Sequence, residues 1–374
     1  MKRAFELAWK GLGRNSPNPL VGCVIVRDGV IVGEGTHFFE KVSHAETIAL
    51  AKAAEKAKGA TVYINLEPCC HTGRTPPCTD ALIKAGVARV VYSIKDPDGR
   101  VNGCGHEILE KAGIKCESGL MADEAREINR FFLAVHEKNR PFVLLKWAMT
   151  ADGKIATRSG ASRWISNDES RNIGNHLRNI FDAILVGHTT VITDNPKLTC
   201  RVDLSHPLPE EIFPYYPRDI RNPKRVVLDT FGAICHHDLN LFENPGTTII
   251  AIGPESEWDD VRARDSLDGD KIELLVCPLK AGYIDLEFLL EKLMEKGINS
   301  VLVEGGSGVH ASFLEKDLAD EVTIAIGPKI FGGEAAQSPV GGLGAELVDD
   351  AVKLTNIKNL RVGDDLMIFG KIEK

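Results

Sequence analysis

Short runs of aliphatic and β-branched residues alternate with longer stretches in which apolar positions recur at helical spacing. In the first part of the chain, strands are predicted at Val21–Val26, Thr61–Leu66 and Arg89–Ile94, with helical segments at Ala45–Lys58 and Asp80–Ala85 between them. An Asp-Gly pair at positions 28 and 29 separates two valine-rich runs and predicts a tight hairpin. These elements indicate one compact α/β unit.

A second set of apolar runs begins after Asn139-Arg140-Pro141, which interrupts the helical pattern of Asp123–Glu137 before a strand at Phe142–Leu145. We place the domain boundary there, with domains at residues 1–139 and 140–374. Further strands are predicted at Ala183–Val186, Arg225–Leu228, Thr248–Ile252, Ile272–Val276, Val301–Val303 and Val322–Ile326, with a helix at Asp285–Lys296. Such alternation predicts a second α/β domain with a mainly parallel sheet. Residues 203–223 are rich in proline and charge, which predicts a surface loop.

Length, hydropathy and charge limit the classes of protein to which the chain can belong. A chain of 374 residues is about 2.5 times a typical ~150-residue domain, which agrees with two domains. No apolar run is long enough for a transmembrane helix, and Glu6, Lys10 and Arg14 interrupt the stretch where a signal peptide would be apolar, so we expect a cytoplasmic protein without a membrane partner. The net charge of −8 and the absence of a basic tract disfavour nucleic acid as a partner.

A metal-ligand pattern lies in the first domain. His44-Ala45-Glu46 opens a helical segment, Cys69 follows a strand, and Cys78 lies nine positions further on. One imidazole and two thiolates are a ligand set of catalytic zinc, with the fourth position left for water. Glu46 is close enough to act as a base on that water without binding the metal. Zinc deaminases carry H-x-E followed by P-C-x-x-C, although here the second thiol is displaced by six residues.

Three alternatives stay open at this point. The cysteines could be ordinary core residues, because cysteine is among the most buried residue types. The zinc could be structural and closed, with Cys70 or His71 as a fourth ligand, in a module that serves binding rather than catalysis. Glu46 argues against that arrangement, because a closed site has no use for a general base. The same chemistry could instead act on a flipped nucleic-acid base, but 6% aromatic content and the lack of a basic tract oppose this.

Longer motifs resemble one known family. They are Asn18-Pro19-Leu20-Val21-Gly22, His44-Ala45-Glu46, the run from Glu67 to Cys78, Thr150-Ala151-Asp152-Gly153-Lys154-Ile155-Ala156, Ser162-Arg163-Trp164-Ile165-Ser166, Asp194-Asn195-Pro196 and Leu198-Thr199-Cys200-Arg201. Together they resemble the RibD family of bifunctional riboflavin biosynthesis proteins over essentially the whole chain, and the displaced second thiol is part of that family's pattern. Where many members read Asp-Pro-Asn, this chain has Asp96-Pro97-Asp98. Because an acidic Asp98 is expected to repel a phosphorylated substrate, we leave it out of the substrate site.

The resemblance implies an α/β chain with a cytidine-deaminase-like N-terminal domain followed by a dihydrofolate-reductase-like C-terminal domain. It implies Zn²⁺-dependent deamination of 2,5-diamino-6-ribosylamino-4(3H)-pyrimidinone 5′-phosphate, followed by NADPH-dependent reduction of the ribosyl group to ribityl. In the deaminase it assigns His44, Cys69 and Cys78 to zinc, Glu46 to proton transfer, and Asn18, His37, Arg74 and Asp96 to the substrate. In the reductase it assigns Lys146, Ser162, Arg178, Arg201 and Glu304 to the substrate, and Ala148, Trp164, Thr190, Asp194, Gly306, Ser307 and Gly308 to NADPH. We further expect a homo-oligomer that acts on a small molecule.

Independent support for the residues of the second domain is uneven. The strand ending at Val303 runs into a Gly-rich turn and a helical segment, which can bind phosphate at a helix N-terminus or serve only chain reversal. No G-x-G-x-x-G follows the first strand, so the dinucleotide fingerprint of doubly wound folds is absent. Arg178 and Arg201 are candidate phosphate ligands, and Lys146 on an apolar strand needs a partner such as Asp194 or Glu304.

For three assigned residues, the residues alone also allow a plainer interpretation. Trp164 could be a core aromatic, since tryptophan is highly buried on average. Arg74 could be a solvated loop arginine, and His37 a surface residue beside a hairpin.

Overall fold

The computed structural model describes residues 1–206, 208–210, 215–244, 246–258 and 272–373. The chain divides into two compact units, of which the first contains Met1–Arg140 and the second begins at Pro141. Within the described residues, no helix is both long and apolar enough to cross a membrane.

The first unit is built on a five-stranded sheet. Its elements are α1 (Lys2–Trp9), β1 (Gly22–Arg27), β2 (Val30–Thr36), α2 (Ala45–Ala53), β3 (Thr61–Leu66), α3 (Cys78–Ala85), β4 (Arg89–Ile94), α4 (Cys104–Lys111), β5 (Lys115–Ser118), α5 (Ala122–Ile128) and α6 (Arg130–Lys138). The strand order is β2-β1-β3-β4-β5, in which β1 is antiparallel to both neighbours and β3, β4 and β5 are parallel. The predicted hairpin at Asp28 and Gly29 is confirmed, since both residues have positive φ, as a type I′ turn requires.

Close packing fixes the helix that follows the hairpin. A Cβ on Gly35 of β2 would lie only 1.9 Å from the carbonyl oxygen of Ala45, and one on Gly33 would lie 2.2 Å from that of Ala49. Only glycine allows helix α2 to lie so near the strand. The first turn of α2, which carries Glu46, is therefore held firmly against the sheet, with His44 as the residue that precedes the helix.

Two helical predictions differ from the structure. The helix predicted over Asp123–Glu137 is interrupted at Asn129, where α5 ends and α6 begins. The Asn129 side chain accepts a hydrogen bond from the Leu20 amide and donates one to the Leu20 carbonyl, so a contact distant in sequence overrides the local helical pattern. Helix α2 ends at Ala53 and gives way to a short 3₁₀ segment, and helix α1 was not predicted.

The second unit has a nine-stranded sheet. Its elements are β6 (Phe142–Thr150), α7 (Asp168–Ile180), β7 (Ala183–Gly187), α8 (His188–Asp194), β8 (Lys224–Leu228), α9 (Asn240–Glu243), β9 (Thr248–Ile252), β10 (Ile272–Val276), β11 (Leu279–Lys280), β12 (Tyr283–Ile284), α10 (Leu286–Glu295), β13 (Ser300–Val303), α11 (Ser307–Glu315), β14 (Glu321–Gly327), β15 (Leu354–Val362) and β16 (Asp365–Ile372). The order is β10-β9-β8-β7-β13-β6-β14-β16-β15, with β11 and β12 forming a separate ribbon. All pairs from β10 to β14 are parallel, which confirms the predicted mainly parallel sheet.

Both faces of this sheet are covered, as is usual for parallel sheets. Along β7, Leu185 belongs to one buried cluster, whereas Ile184 and Val186 belong to another on the opposite face. Helix α10 supplies Leu289 and Leu293 to the first cluster. The antiparallel β15–β16 hairpin, which the sequence pattern did not reveal, extends the sheet beyond β14.

The loop predicted over residues 203–223 lies partly outside the described residues, at positions 207 and 211–214. Its described positions contain neither helix nor strand.

Candidate metal and substrate sites

Three predicted metal ligands converge in the first unit. The donor atoms of His44, Cys69 and Cys78 all lie within 4.8 Å of one another. His44 Nδ1 is 3.2 Å from the Cys78 sulfur and 3.5 Å from the Cys69 sulfur. His44 precedes α2, Cys69 lies just beyond β3, and Cys78 is the first residue of α3. The sequence spacing is therefore explained by two helix starts and one strand end meeting at a single point.

The polar groups around this cluster favour charge on one sulfur. The hydrogen bond from the Cys78 thiol, together with that from His44, lowers the pKa of Cys69 to about 4 against the effect of burial. The Cys69 sulfur also accepts the backbone N–H of Cys78 at 3.4 Å. The hydrogen bond to Cys69, followed by burial, raises the pKa of the Cys78 thiol. Cys69 is therefore the sulfur that its surroundings favour as a thiolate, which is the form that binds a metal ion.

Neither proposed fourth ligand joins the cluster. The Cys70 thiol instead donates a hydrogen bond to the Arg100 carbonyl at 3.4 Å, and burial, helped by Cys104, raises its pKa to about 12. His71 is not among the residues whose donor atoms come together with those of His44. In the described part of the chain the cluster contains three protein donors, which is the number found in zinc sites that keep a position for water.

Glu46 lies beside the metal-ligand cluster without belonging to it. Its side chain is buried, and its carboxyl group is within hydrogen-bonding reach of the Cys78 thiol. Burial, followed by the charge of Cys69, raises the pKa of Glu46 to about 7. A carboxyl group with such a pKa can both accept and release a proton near neutral pH.

Glu67 organises the strand end that carries Cys69, and sequence reasoning assigned it no role. Its carboxylate accepts backbone N–H groups of Asp96 at 3.3 Å, Gly103 at 2.9 Å and His106 at 3.0 Å. A glutamate placed directly before Pro68-Cys69 and almost fully buried joins the ends of two parallel strands to the start of α4. In the sequence, Glu67 could have been noticed because it is an acidic residue at the end of an apolar strand.

Asn18 and His37 form a pair next to the metal-ligand cluster. The His37 Nδ1–H donates to the Ser43 carbonyl at 3.0 Å, so its Nε2 is the acceptor for the Asn18 amide at 2.9 Å. The His37 ring packs edge-on against His44, with ring centroids 5.3 Å apart. His37 is 4% exposed, so the interpretation as a surface histidine was wrong. Burial lowers its pKa, which keeps the ring neutral.

Arg74 and Asp96 differ in their surroundings. Arg74 is exposed, with its guanidinium 5.1 Å from the centre of the Phe39 ring, so its charge is available to a ligand. Asp96 is buried, and burial raises its pKa to about 7. Asp98 forms a bidentate ion pair with Arg100, which lowers the pKa of Asp98 to about 2. Arg100 therefore balances the negative charge of Asp98, which weakens the expected repulsion of a phosphorylated substrate, and the exclusion of Asp98 from the substrate site stays a prediction.

The second unit contains a cavity of about 600 Å³ at the carboxyl end of β6. The five residues predicted to bind the reductase substrate all line it, as do two of those assigned to the cofactor; the seven are Lys146, Ala148, Ser162, Trp164, Arg178, Arg201 and Glu304. A neighbouring cavity of about 570 Å³ shares Ser162, Trp164, Arg178 and Arg201 with the first and adds Asp194. The structure thus brings together residues that are far apart along the chain.

An ion pair holds the floor of the larger cavity. Arg178 donates to the two carboxylate oxygens of Glu304 at 3.0 and 2.7 Å, and its remaining nitrogen donates to the Thr199 carbonyl at 3.0 Å. Against the effect of burial, the charges of Arg178 and Lys146 lower the pKa of Glu304 to about 2. Each nitrogen of the Arg178 guanidinium therefore already has one acceptor, Glu304 or Thr199, and its role as a substrate ligand stays a prediction.

Lys146 and Arg201 are the cavity's other cationic candidates. Lys146 packs against Gly174 of α7, where a Cβ would lie 3.5 Å from its Nζ. Its positive charge contributes to the lowered pKa of Glu304, so Glu304 is a neighbouring acid of Lys146. Arg201 is exposed and uses one nitrogen on the Thr199 hydroxyl at 3.0 Å, which leaves most of its fork for a ligand.

Trp164 is 60% exposed, so the interpretation as a core aromatic was wrong. The guanidinium of Arg171 lies 4.5 Å from the centre of its ring. Nearby, the Ser162 hydroxyl donates to the Asp194 carboxylate at 3.4 Å, and Arg163 donates to the Asp194 carbonyl. An exposed indole beside an ordered polar loop is suited to contact a planar ligand.

The Gly-rich turn lies where two parallel strands, β7 and β13, both end in helices. A Cβ on Gly305 would lie 2.6 Å from the Cα of Val186, so the turn packs directly against β7. Gly306 has a φ of +64°, and a Cβ on it would approach the Thr190 hydroxyl to 3.5 Å. Gly306 therefore faces Thr190 of α8, Ser307 is the first residue of α11, and Gly308 is exposed on its first turn.

Comparison with known proteins gives consistent matches over both units. The family model for the RibD C-terminal domain matches residues 141–368, and the model for the cytidine and deoxycytidylate deaminase zinc-binding region matches residues 1–94. The chain is 40% identical over 370 residues to the riboflavin biosynthesis protein RibD of Actinobacillus pleuropneumoniae, covering 98% of this chain and 93% of that protein. It is 41% identical over 338 residues to RibD of Escherichia coli, covering 90% and 88%.

Solved structures agree with the sequence matches. RibD of Acinetobacter baumannii superposes with a TM-score of 0.83 at 33% identity, covering 100% of this chain and 98% of that one. A diaminohydroxyphosphoribosylaminopyrimidine deaminase/5-amino-6-(5-phosphoribosylamino)uracil reductase from Thermotoga maritima superposes with a TM-score of 0.82 at 37% identity, covering 100% and 97%.

Proposed function

This chain belongs to the RibD family of riboflavin biosynthesis enzymes, which join a deaminase to a reductase, and we propose that each of its units catalyses one of the two reactions. The first unit removes the amino group of 2,5-diamino-6-ribosylamino-4(3H)-pyrimidinone 5′-phosphate. The second reduces the ribosyl group of the product to ribityl. The observation that carries this proposal is the convergence of His44, Cys69 and Cys78 beside a buried Glu46.

We assign the zinc of the deaminase domain to His44, Cys69 and Cys78. The donor set of one imidazole and two sulfurs fits zinc, and the sulfurs would bind it as thiolates. A zinc ion bound there would supply Lewis acidity that makes water nucleophilic at neutral pH.

Glu46 carries out the proton transfers of the deamination. Its carboxylate accepts a proton from the water that attacks the ring carbon, and it returns that proton to the departing nitrogen. The products are a ring carbonyl and ammonia, so the step needs no further reactant. A carboxyl group excluded from bulk solvent and with a pKa near 7 is suited to both transfers.

The remaining predicted residues of the first unit bind the substrate. The Asn18–His37 pair offers neutral hydrogen-bonding groups beside His44, where the pyrimidine must lie for water to reach its carbon. Asp96, whose pKa is raised by burial, can donate as well as accept a hydrogen bond. Arg74 supplies a free charge for the phosphate.

In the second unit, some charged residues of the cavity interact with one another, and others are available to the substrate. Arg178 fixes Glu304, and Glu304 in turn lies near Lys146, so Lys146 is held where it can approach the ring oxygen of the ribosyl group. Its ammonium stabilises the negative charge that develops on that oxygen as a hydride adds to C1′ and the bond between C1′ and the ring oxygen breaks, and the oxygen then takes up a proton to become a hydroxyl. Arg201 binds the phosphate, and Ser162 contributes a hydroxyl to the same wall.

The nicotinamide cofactor of the reductase is NADPH in this proposal, and it supplies the hydride. Trp164 and Ala148 contact it at the cavity, with Asp194 at the adjoining cavity. Thr190 and the turn Gly306–Gly308 bind its phosphates, since the N-cap residue, Gly306, provides no side-chain hydrogen bond to the N–H groups where α11 begins.

The direct test is to incubate the purified full-length protein with the diaminopyrimidinone ribosyl phosphate, with and without NADPH, and to analyse the products by mass. Without NADPH we expect replacement of NH₂ by OH, and with it a further gain of two hydrogens. NADH in a parallel incubation tests the cofactor preference. Recovery of unchanged substrate with zinc-loaded protein contradicts the proposed deamination.

Three expectations remain predictions: the homo-oligomer, the absence of a nucleic-acid partner, and the location in the cytoplasm. Light scattering of the purified protein tests the first of them.

A further inference from the structure

A second group of side chains of the types that bind metals lies in the second unit, apart from the residues that line the two cavities described above. Cys235 and His236 follow strand β8, and Glu257 follows strand β9. Their sulfur, imidazole nitrogen and carboxylate oxygen all lie within 4.8 Å of one another, with 3.6 Å between His236 Nε2 and a Glu257 oxygen. Because β8 and β9 are parallel neighbours, the segments that follow them meet at one edge of the sheet.

One buried carboxylate fixes both segments. Asp229, which is fully buried, accepts the backbone N–H groups of Ala233 at 2.8 Å and Ile234 at 3.2 Å, just before Cys235. Its second oxygen also accepts the indole N–H of Trp258 at 2.7 Å, next to Glu257. The same side chain therefore sets the position of the backbone on both sides of the cluster.

Direct backbone contact joins the two segments as well. The Glu257 N–H donates to the Phe231 carbonyl at 3.1 Å. Gly232 has a φ of +94°, and a Cβ there would lie 2.9 Å from the Cβ of Glu257, so only glycine permits this approach. The Cys235 N–H in turn donates to the Gly232 carbonyl at 3.1 Å. These contacts thus hold together the two backbone segments that carry the three donors.

We propose that Cys235, His236 and Glu257 bind a divalent transition-metal ion of the zinc type, at a site separate from that of the deaminase. A thiolate, an imidazole and a carboxylate suit a borderline-soft cation and not magnesium or calcium, which prefer oxygen ligands. The imidazole and the carboxylate are each 68% exposed, so water completes the coordination and the ion exchanges with solvent. On binding, the Cys235 thiol loses its proton to the buffer.

Cobalt titration of the zinc-loaded full-length protein tests this site, with absorbance, bound cobalt and released zinc followed together. We expect one further cobalt per chain, without release of zinc, and the near-ultraviolet absorption of a thiolate-to-cobalt bond. Cys235→Ser should abolish that absorption, and Glu257→Gln should weaken binding by about 10-fold or more.

Two matched variants serve as controls. His237 is exposed and adjacent to the cluster but not part of it, and Cys104 is an exposed thiol of the first unit. His237→Ala and Cys104→Ser should bind the additional cobalt as the parent does. Thermal unfolding of each variant checks that the fold is intact. The proposal is overturned if folded Cys235→Ser binds as much cobalt as the parent, or if His237→Ala loses as much as His236→Ala.

Discussion

The metal-ligand cluster of the first unit and the cavity of the second are built in different ways. The cluster takes its donors from residues 44–78, and each donor lies at a helix start or a strand end. The cavity takes its charged residues from positions between Lys146 and Glu304, on several strands, helices and loops. Zinc restricts its ligands to a few residue types at short spacing, whereas a cavity uses arginine, serine and glutamate that are common on any surface. The candidate ligands of the deaminase metal site can therefore be recognised in the sequence, whereas the cavity can be recognised only in the folded chain.

The largest effect should come from removing one metal ligand. Cys78→Ser replaces a fully buried sulfur, 3.2 Å from His44 Nδ1, with a weaker ligand. We expect the tightly held zinc, about one per chain, to be lost during gel filtration, and deamination to fall by more than ~100-fold. Metal analysis of the filtered protein and a deamination assay measure both effects.

Cys70→Ser is the matched control for that experiment, because Cys70 bonds to the Arg100 carbonyl and not to the cluster. It should retain its zinc. Retention of zinc in Cys78→Ser, combined with loss in Cys70→Ser, would reassign the ligands.

The same contrast, between features set by nearby residues and features set by distant ones, explains which secondary-structure predictions succeeded. Strands β3 and β4 were predicted with their observed ends, because short β-branched runs bounded by helical stretches are a local signal. The break at Asn129 was missed because its cause is a pair of hydrogen bonds to Leu20, and the β15–β16 hairpin was missed because β15 is largely exposed and mixes polar with apolar residues.

Within the sites, the three candidate ligands of zinc followed from residue type and spacing, but the partners of the charged groups did not. Arg178 pairs with Glu304, 126 positions further along the chain, whereas the guanidinium of the exposed Arg201 contacts the nearby Thr199 through one of its nitrogens. The roles of Glu67 and of the Asp98–Arg100 pair likewise required the folded chain.

Breaking the ion pair beneath the cavity should cost stability in the second unit. Glu304→Gln leaves the guanidinium of Arg178 without its anion at a largely buried position, and the free energy of unfolding should fall by about 3 kcal/mol at pH 7. Urea unfolding measures this. In contrast, Glu287→Gln, which removes an exposed partner of Lys280, should change the free energy of unfolding by less than ~0.5 kcal/mol.

The same pair predicts a pH dependence. Arg178 and Lys146 hold the pKa of Glu304 at about 2, below the ordinary value of about 4.3 for an unfolded chain. The stabilisation is therefore complete above the unfolded pKa and is lost as the pH falls towards 2. The stability difference between the parent and Glu304→Gln should be constant from pH 7 to about 5 and shrink below that. An unchanged difference down to pH 2.5 would contradict the charge assignment.

A smaller effect is expected at the phosphate site. Arg201→Ala should raise the reductase KM for the phosphorylated substrate by about 10-fold or more, since a charged hydrogen bond contributes ~1.5–3 kcal/mol. Arg201→Lys should not restore it, because lysine lacks the planar fork. Arg158→Ala alters an exposed arginine outside the cavity and should leave KM unchanged. Steady-state kinetics on the deaminated substrate distinguish these outcomes, and an unaltered KM in Arg201→Ala would place the phosphate elsewhere.

The smallest effect should come from the exposed indole. Trp164→Ala should raise the KM for NADPH by about 3- to 10-fold, as expected for loss of an aromatic contact of 0.5–1.5 kcal/mol. Stability should change by no more than ~0.5 kcal/mol, because the side chain is 60% exposed. Trp258→Ala, which removes a fully buried indole, should instead destabilise the unit by about 3–5 kcal/mol. A large loss of stability in Trp164→Ala would show that Trp164 has a structural role instead.

The most direct test of two separate chemistries is Glu46→Gln, assayed for zinc, deamination and reduction in one preparation. The substitution keeps size and hydrogen bonding but removes the carboxylate that accepts the proton, so deamination should fall by at least ~100-fold. Zinc should remain bound because Glu46 lies outside the three-donor cluster, and reduction of supplied deaminated substrate should stay near the parent rate because Lys146, Arg201 and Glu304 belong to the other unit. Loss of zinc would make Glu46 a ligand, and loss of reduction in a folded, zinc-loaded variant would show that the two sites depend on each other.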